Sequence, residues 1–233
     1  MIQAAPIRFF HPSCLDAIHN VKQIATTMAD SISQFKSAAI HVIVAELRGD
    51  LSSEDLEFLH TSAYTLKKAP AVHNVSVGLS DTHFIVSIEL LLSGPIEEFS
   101  DSSTHMEFVV HSLGKYITGM WSVDFQCDGG FPTANEFFPQ AKSVAAIAVK
   151  GGARVFEWQI TEWFQELETA IPNSIIASGH TIEERDLHRA CALIFSQIET
   201  TESSQTLSEI ITTLGIPIGS LEIATASLSQ LAS

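Results

Sequence analysis

The feature that most constrains the fold is the order of apolar patterns between Ile40 and Phe125. Residues 40–47 form a run of strand length that is aliphatic except for one histidine and one glutamate. Five patterns follow in order: a helix at about 53–68, strands at 72–79 and 82–92, a helix at 104–117 and a strand at 121–125. The order βαββαβ predicts a ferredoxin-like unit.

The same order recurs after a linker at 131–139. The predicted elements are a strand at 143–149, a helix at 155–171, strands at 175–180 and 187–198, a helix at 206–214 and a strand at 216–224. We therefore predict an α+β fold of the dimeric α+β barrel type, with the ferredoxin-like unit duplicated within one chain. The expected units are 38–128 and 140–233.

The first 37 residues lie before these units and are predicted to form an extension of their own. Residues 7–10 have the pattern of a short strand, and an amphipathic helix is predicted from Leu15 to Phe35. Two fused units could pack sheet against sheet as an intramolecular pseudo-dimer. A homodimer of whole chains remains the alternative.

Composition excludes several classes of partner. The chain carries 12 basic and 27 acidic residues, a net charge of −15, and its only adjacent basic pair is Lys67-Lys68. A nucleic-acid binder needs clustered basic side chains, so neither nucleic acid nor an anionic membrane is expected as a partner. No apolar run reaches the ~18 residues of a membrane span, and no signal peptide is evident at the N-terminus.

The cysteines predict neither a metal site nor a disulfide framework. Cys14, Cys127 and Cys191 are widely spaced and odd in number, and no Cys-x-x-Cys pair occurs. Free thiols in a reducing cytoplasm are the simplest interpretation, so we expect a cytoplasmic protein.

His41 and His105 are the candidate catalytic residues. Imidazole has an unperturbed pKa of ~6.5, which suits proton transfer near neutral pH. Alternation places His41 on the same strand face as Ile43, and if that face looks into the barrel, burial favours the neutral imidazole. His105 stands at a helix start, where the positive end of the helix dipole also favours the neutral form.

Residues 40–125 resemble the stress-responsive dimeric α/β-barrel family, to which olivetolic acid cyclase, a plant polyketide cyclase, belongs. The resemblance lies in the order and spacing of several segments and covers roughly the middle third of the chain. The segments that carry the resemblance are His41 in the first strand, residues 52–78 with Pro70 and Val77-Gly78, residues 95–99 leading to His105-Met106-Glu107-Phe108, and the closing Val123-Asp124-Phe125.

The resemblance implies a cofactor-free lyase or cyclase that acts on a hydrophobic, polyketide-like carbonyl compound. In that family a strand histidine and a helix histidine act together, and they map onto His41 and His105. The family's pocket-lining neighbour maps onto Ile43. A family tyrosine is Phe99 here, and a second tyrosine falls next to Tyr64. No metal or other cofactor is expected.

Other functions stay open from the sequence. The chain could be a non-catalytic stress-response or oligomerisation module with a filled barrel, or a monooxygenase on the same barrel. A haem could use His111 as its axial ligand. His73 and His83 could be cross-strand neighbours in a metal site.

Overall fold

The computed structural model describes residues 38–69, 71–90, 96–127, 140–171, 173–182 and 187–228. The predicted N-terminal extension at 1–37 and the linker at 131–139 lie outside these residues. The unit boundaries at 38–128 and 140–233 therefore stay predictions.

The first unit follows the predicted order, but its last strand begins at Ile117, where the second helix was predicted to end, and not at 121. Its elements are β1 (Ala38–Leu47), α1 (Ser53–Tyr64) continued by a 3-10 turn (Thr65–Lys68), β2 (Val72–Leu79), β3 (His83–Leu90), α2 (Ile96–Ser100), α3 (Ser103–Met106) and β4 (Ile117–Cys127). Between α3 and β4 the helical path widens into a π-helix (Glu107–Ser112) and tightens into a 3-10 turn (Leu113–Lys115). Helix α1 starts with a capping box between Ser52 and Asp55, which satisfies backbone donors at its first turn.

The second unit repeats the order. It contains β5 (Ser143–Lys150), α4 (Glu157–Ala170), β6 (Ser174–His180), β7 (His188–Ser196), α5 (Thr200–Thr213) and β8 (Leu221–Leu228). Two predicted boundaries were wrong. Helix α5 begins six residues before the predicted 206, and the last strand begins at Leu221 rather than 216, because Ile218–Ser220 form a 3-10 turn after Pro217.

All eight strands form one sheet in the order β4-β1-β3-β2-β8-β5-β7-β6. Each half has the 4-1-3-2 order of a ferredoxin-like unit, so the predicted duplication and fold class are confirmed. The two outer strands also meet, through a bridge between Phe125 and Thr181 and a hydrogen bond from the Ile182 amide to the Asp124 carbonyl at 2.9 Å. The sheet thus closes into a barrel whose halves are related by an approximate two-fold axis.

The two faces of this sheet bury different cores. The barrel interior holds apolar side chains from both units, including Ile40, Val42, Phe125 and Phe195. The outer face of each unit is covered by that unit's own helices. Ile43 lies in the outer core with Leu59 of α1, so the strand face that carries His41 looks toward the helices and not into the barrel. The condition under which His41 would occupy a barrel pocket is therefore not met.

A glycine stands at each of the two seams between the halves. Gly78 lies at the β2–β8 seam, where a Cβ atom would collide with Val144 and reach 3.0 Å from Ala226. Gly179 lies at the β6–β4 seam, where a Cβ atom would overlap the backbone carbonyl of Gln126. Both strands approach closely enough that only glycine fits without displacing a neighbour.

None of the helices among the described residues is both long and apolar enough to cross a bilayer.

Candidate functional site

His41 forms a buried dyad with Asp124. The two residues lie directly opposite each other on β1 and β4, 83 positions apart in the chain. The imidazole Nδ1 lies 2.6 Å from the Asp124 Oδ1, and the His41 residue is 5% exposed. This separation is that of a short, charge-assisted hydrogen bond.

His105 reaches the same place from the helical layer. Its backbone amide donates to the Ser102 hydroxyl, which caps α3, and its Nδ1 lies 2.9 Å from the carbonyl oxygen of Ser100. The cap fixes the start of α3, and the carbonyl of α2 fixes the plane of the ring. The residue is 9% exposed.

These partners determine the tautomers of both rings. A carbonyl oxygen only accepts, so the Nδ1 of His105 carries its hydrogen, and the carboxylate of Asp124 requires the same of His41. In each neutral ring the lone pair is then on Nε2. Both Nε2 atoms are buried and have no hydrogen-bond partner among the described residues.

The two imidazoles and Phe99 pack as a mutually contacting trio. The ring centroids of His41 and His105 are 5.2 Å apart with the planes at 85°. Phe99 is fully buried, with its centroid 5.5 Å from that of His41 and 4.8 Å from that of His105. The structure thus brings together the two predicted catalytic histidines and one predicted pocket residue.

Burial lowers the pKa of His105 below its usual value, and the nearby charge of protonated His41 lowers it further. Hydrogen bonding to Ser100 and the negative charge of Asp124 oppose these effects. His105 is therefore neutral around pH 7, and a proton on His41 makes a second proton on His105 less favourable.

We expect the His105→Asn substitution to flatten the pH dependence of stability on the acidic side of neutrality. Because the folded pKa of His105 is lowered, the unfolded state binds more protons between the folded pKa and ~6.5. The contribution of neutral His105 to the free energy of unfolding is therefore complete above pH ~6.5 and is lost as the pH falls through the folded pKa. Urea unfolding of both proteins from pH 7.5 to 5 measures the difference. Parallel curves would contradict the prediction.

The remaining predicted site residues occupy different positions. Ile43 is fully buried on the same strand face as His41, two residues along β1. Tyr64 ends α1, where its ring contacts that of His60 with centroids 5.2 Å apart and lies under the Lys67 ammonium. Burial raises the pKa of the Tyr64 phenol. Its described ring contacts do not include His41, so its place in a pocket stays a prediction.

Two alternative ligand sets do not assemble. The β2–β3 register pairs the neighbours of His73 with Glu89 and Leu90, whereas His83 lies at the opposite, turn end of the hairpin, so these histidines are not cross-strand neighbours. His111 is exposed on the π-helix, which does not suit a buried axial haem ligand. The described residues contain no group of three potential metal ligands.

The sequence analysis missed Asp124 as the partner of His41. Its side chain lies on the helix-facing side of β4, because Val123 and Phe125 on either side enter the barrel core. One carboxylate between two apolar residues of a closing strand is the signal that could have identified it. Pairing it with His41 also requires the register between the first and fourth strands.

Comparison with known proteins finds likeness in structure only. No family model and no curated protein sequence matches the chain. The structures that match include an anthrone oxidase-like protein, with a TM-score of 0.54 at 6% identity, covering 84% of this chain and 92% of that one. At this identity the likeness shows a shared fold alone.

Two further structural matches are weaker. A protein from Lactobacillus acidophilus, whose assignment as a monooxygenase is provisional, has a TM-score of 0.46 at 10% identity over 83% of this chain and 94% of that one. A DABB family protein with a ferredoxin-like fold from Mesorhizobium loti has a TM-score of 0.33 at 20% identity, covering 38% of this chain and 95% of that one. None of these matches singles out a cyclase.

Proposed function

We propose that the chain is an enzyme that removes a proton from a hydrophobic carbonyl compound by histidine acid–base catalysis, without a cofactor. The supporting observation is the edge-to-face contact of two buried imidazoles, His41 and His105, whose Nε2 atoms both have no hydrogen-bond partner among the described residues. A buried acceptor without a partner is costly, and a bound acidic C–H or O–H group would relieve that cost.

His41 is the general base of this proposal. Its Nε2 takes the proton, and the Asp124 carboxylate stabilises the imidazolium that forms and keeps the ring oriented. The charge on His41 then keeps His105 neutral, so the pair holds one proton at a time.

His105 positions the substrate. Its neutral Nε2 accepts a hydrogen bond from an enol or phenol hydroxyl, which orients the acidic carbon toward His41. Phe99 contacts both rings, and Ile43 lies beside them on β1, so these side chains supply the apolar wall. We expect Phe99 to move aside or stack on the substrate, because it packs against the rings that must be reached.

The carbanion formed by proton removal has two possible fates. In a cyclase it attacks a second carbonyl carbon of the same molecule, and the new alkoxide takes the proton back from His41. In an oxygenase it reacts with dioxygen to give a peroxide, which takes that proton and loses water to leave a ketone. The oxidase-like name of one structural neighbour favours oxygenation over the cyclase reaction.

Anthrone is a suitable probe because it is an apolar ketone with an acidic methylene group. We expect the protein to accelerate exchange of that methylene hydrogen in deuterated buffer without oxygen, measured by NMR. With oxygen admitted, uptake of dioxygen and formation of the quinone would identify the oxygenase, and their absence would favour the cyclase. No acceleration of exchange with anthrone or with a polyketide-like diketone would favour the non-catalytic module.

A further inference from the structure

A pocket opens at one end of the barrel, on the opposite face of the sheet from His41. It has a volume of about 420 Å³, which lies within the range of small-molecule sites. Its walls come from both units. The side chains used in the argument below are Glu46, Trp121, Lys150, His188 and Glu222. The barrel below this mouth is filled by the apolar interior core.

A buried histidine lies in the wall of this pocket. His188, which is 4% exposed, pairs with Lys150, and a register shift separates this pair from Val149 and Ala190. The Nε2 of His188 lies 2.7 Å from Glu222 Oε2, which stands on the other side of β5, and the His188 ring centroid lies 5.1 Å from that of Trp121. Its Nδ1 is buried and has no hydrogen-bond partner among the described residues. The pair therefore forms a polar part of the wall with the Trp121 indole beside it.

Opposite charges face each other across the same mouth. Strands β1 and β5 are four places apart in a closed sheet of eight strands, so they lie on opposite sides of the barrel. Glu46 of β1 and Lys150 of β5 both line the pocket. Neither makes an ion pair within the part of the chain that the structure describes. A carboxylate and an ammonium group thus border one cavity from opposite walls without neutralising each other.

We propose that this mouth binds a small amphoteric molecule that carries an ammonium group at one end and a carboxylate at the other. The ligand ammonium group pairs with Glu46, and the ligand carboxylate pairs with Lys150. The apolar middle of the ligand lies against Trp121. The His188–Glu222 pair supplies a further polar contact through Nδ1. A molecule with a single charge would leave one wall unpaired.

Three probes with a common ring separate the contributions of the two charges. They are 4-(aminomethyl)benzoate, which has both charges, benzylamine, which has only the cation, and benzoate, which has only the anion. We expect calorimetry to show the first binding at least about tenfold tighter than either of the others, since each charge-assisted hydrogen bond adds affinity.

Two substitutions test the assignment of each wall. Lys150→Met should reduce the affinity for 4-(aminomethyl)benzoate to about that for benzylamine, and Glu46→Gln should reduce it to about that for benzoate. Lys68→Met and Glu166→Gln are matched controls on exposed residues that do not line the mouth, and both should bind like the parent. Circular dichroism and the melting temperature verify that each variant is folded.

The proposal is overturned if no probe binds at millimolar concentration, if the singly charged probes bind as tightly as the doubly charged one, or if the control substitutions weaken binding as much as the mouth substitutions. Binding is measured here without turnover. The result is therefore independent of the reaction proposed for His41 and His105.

Discussion

Alanine in place of His41 is expected to slow anthrone hydrogen exchange by about 10²- to 10⁴-fold, the range usually lost with a general base. The effect should appear in the rate at saturating probe, because the imidazole Nε2 acts on the reacting hydrogen. Asp124→Asn should lose about 10²-fold or more, since the neutral amide lacks the negative charge with which the carboxylate stabilises the imidazolium.

His111→Ala is the matched control for this series. It removes an imidazole from the same unit, but from an exposed position on the π-helix. We expect its exchange rate to equal that of the parent protein. If the His41→Ala variant is folded and still exchanges at the parent rate, His41 is not the base.

The second large effect concerns the seam between β6 and β4. We expect Gly179→Ala to destabilise the fold by about 3 kcal/mol, the upper end of the usual overpacking range. The added Cβ overlaps the backbone carbonyl of Gln126, which belongs to a strand and cannot rotate away as a side chain could. Urea unfolding measures the change. Gly219→Ala is the control, because nothing lies within 4 Å of the position that its added methyl group would take, and its stability should change little.

The Gly179→Ala substitution should also affect the candidate site. The Asp124 carbonyl accepts the Ile182 amide at this seam, while the Asp124 side chain holds His41 on the other face of β4. Pushing β6 away from β4 therefore disturbs the strand that carries the dyad. We expect a lower exchange rate in Gly179→Ala than in Gly219→Ala at a temperature where both are folded. Equal stability and equal rates would show that closure at this seam does not depend on the glycine.

The sequence predicts the fold well where apolar periodicity and turn residues agree. Strand β2 was predicted with its observed limits, 72–79, because the residues alternate and the chain turns sharply on both sides. The start of α5 was missed because its first turns, from Thr200, are polar and show no apolar stripe. The start of β8 was misplaced because Ile216 and Ile218 are strand-forming residues on either side of a proline that begins a turn.

The candidate site was predictable only in part. The contact between His41 and His105 follows from the βαββαβ order, which packs the second helix over the first strand. Both faces of β1 are apolar, since Val42 enters the barrel and Ile43 the helical layer, so alternation alone does not tell which face is which. The pairing with Asp124 depends on register across 83 residues, and a local pattern carries no information about it.

Internal duplication has a consequence for the charges at the barrel mouth. Val44 of β1 pairs with Trp121, and the corresponding Ala148 of β5 pairs with Glu222. Glu46 lies two residues after Val44, and Lys150 lies two residues after Ala148, so Glu46 and Lys150 also correspond. In a dimer of identical chains the two-fold axis would place each residue opposite its own copy, so a glutamate would face a glutamate. Because both halves lie in one chain, they can differ in sequence at this position, and acid and base can then stand on opposing sides of one opening.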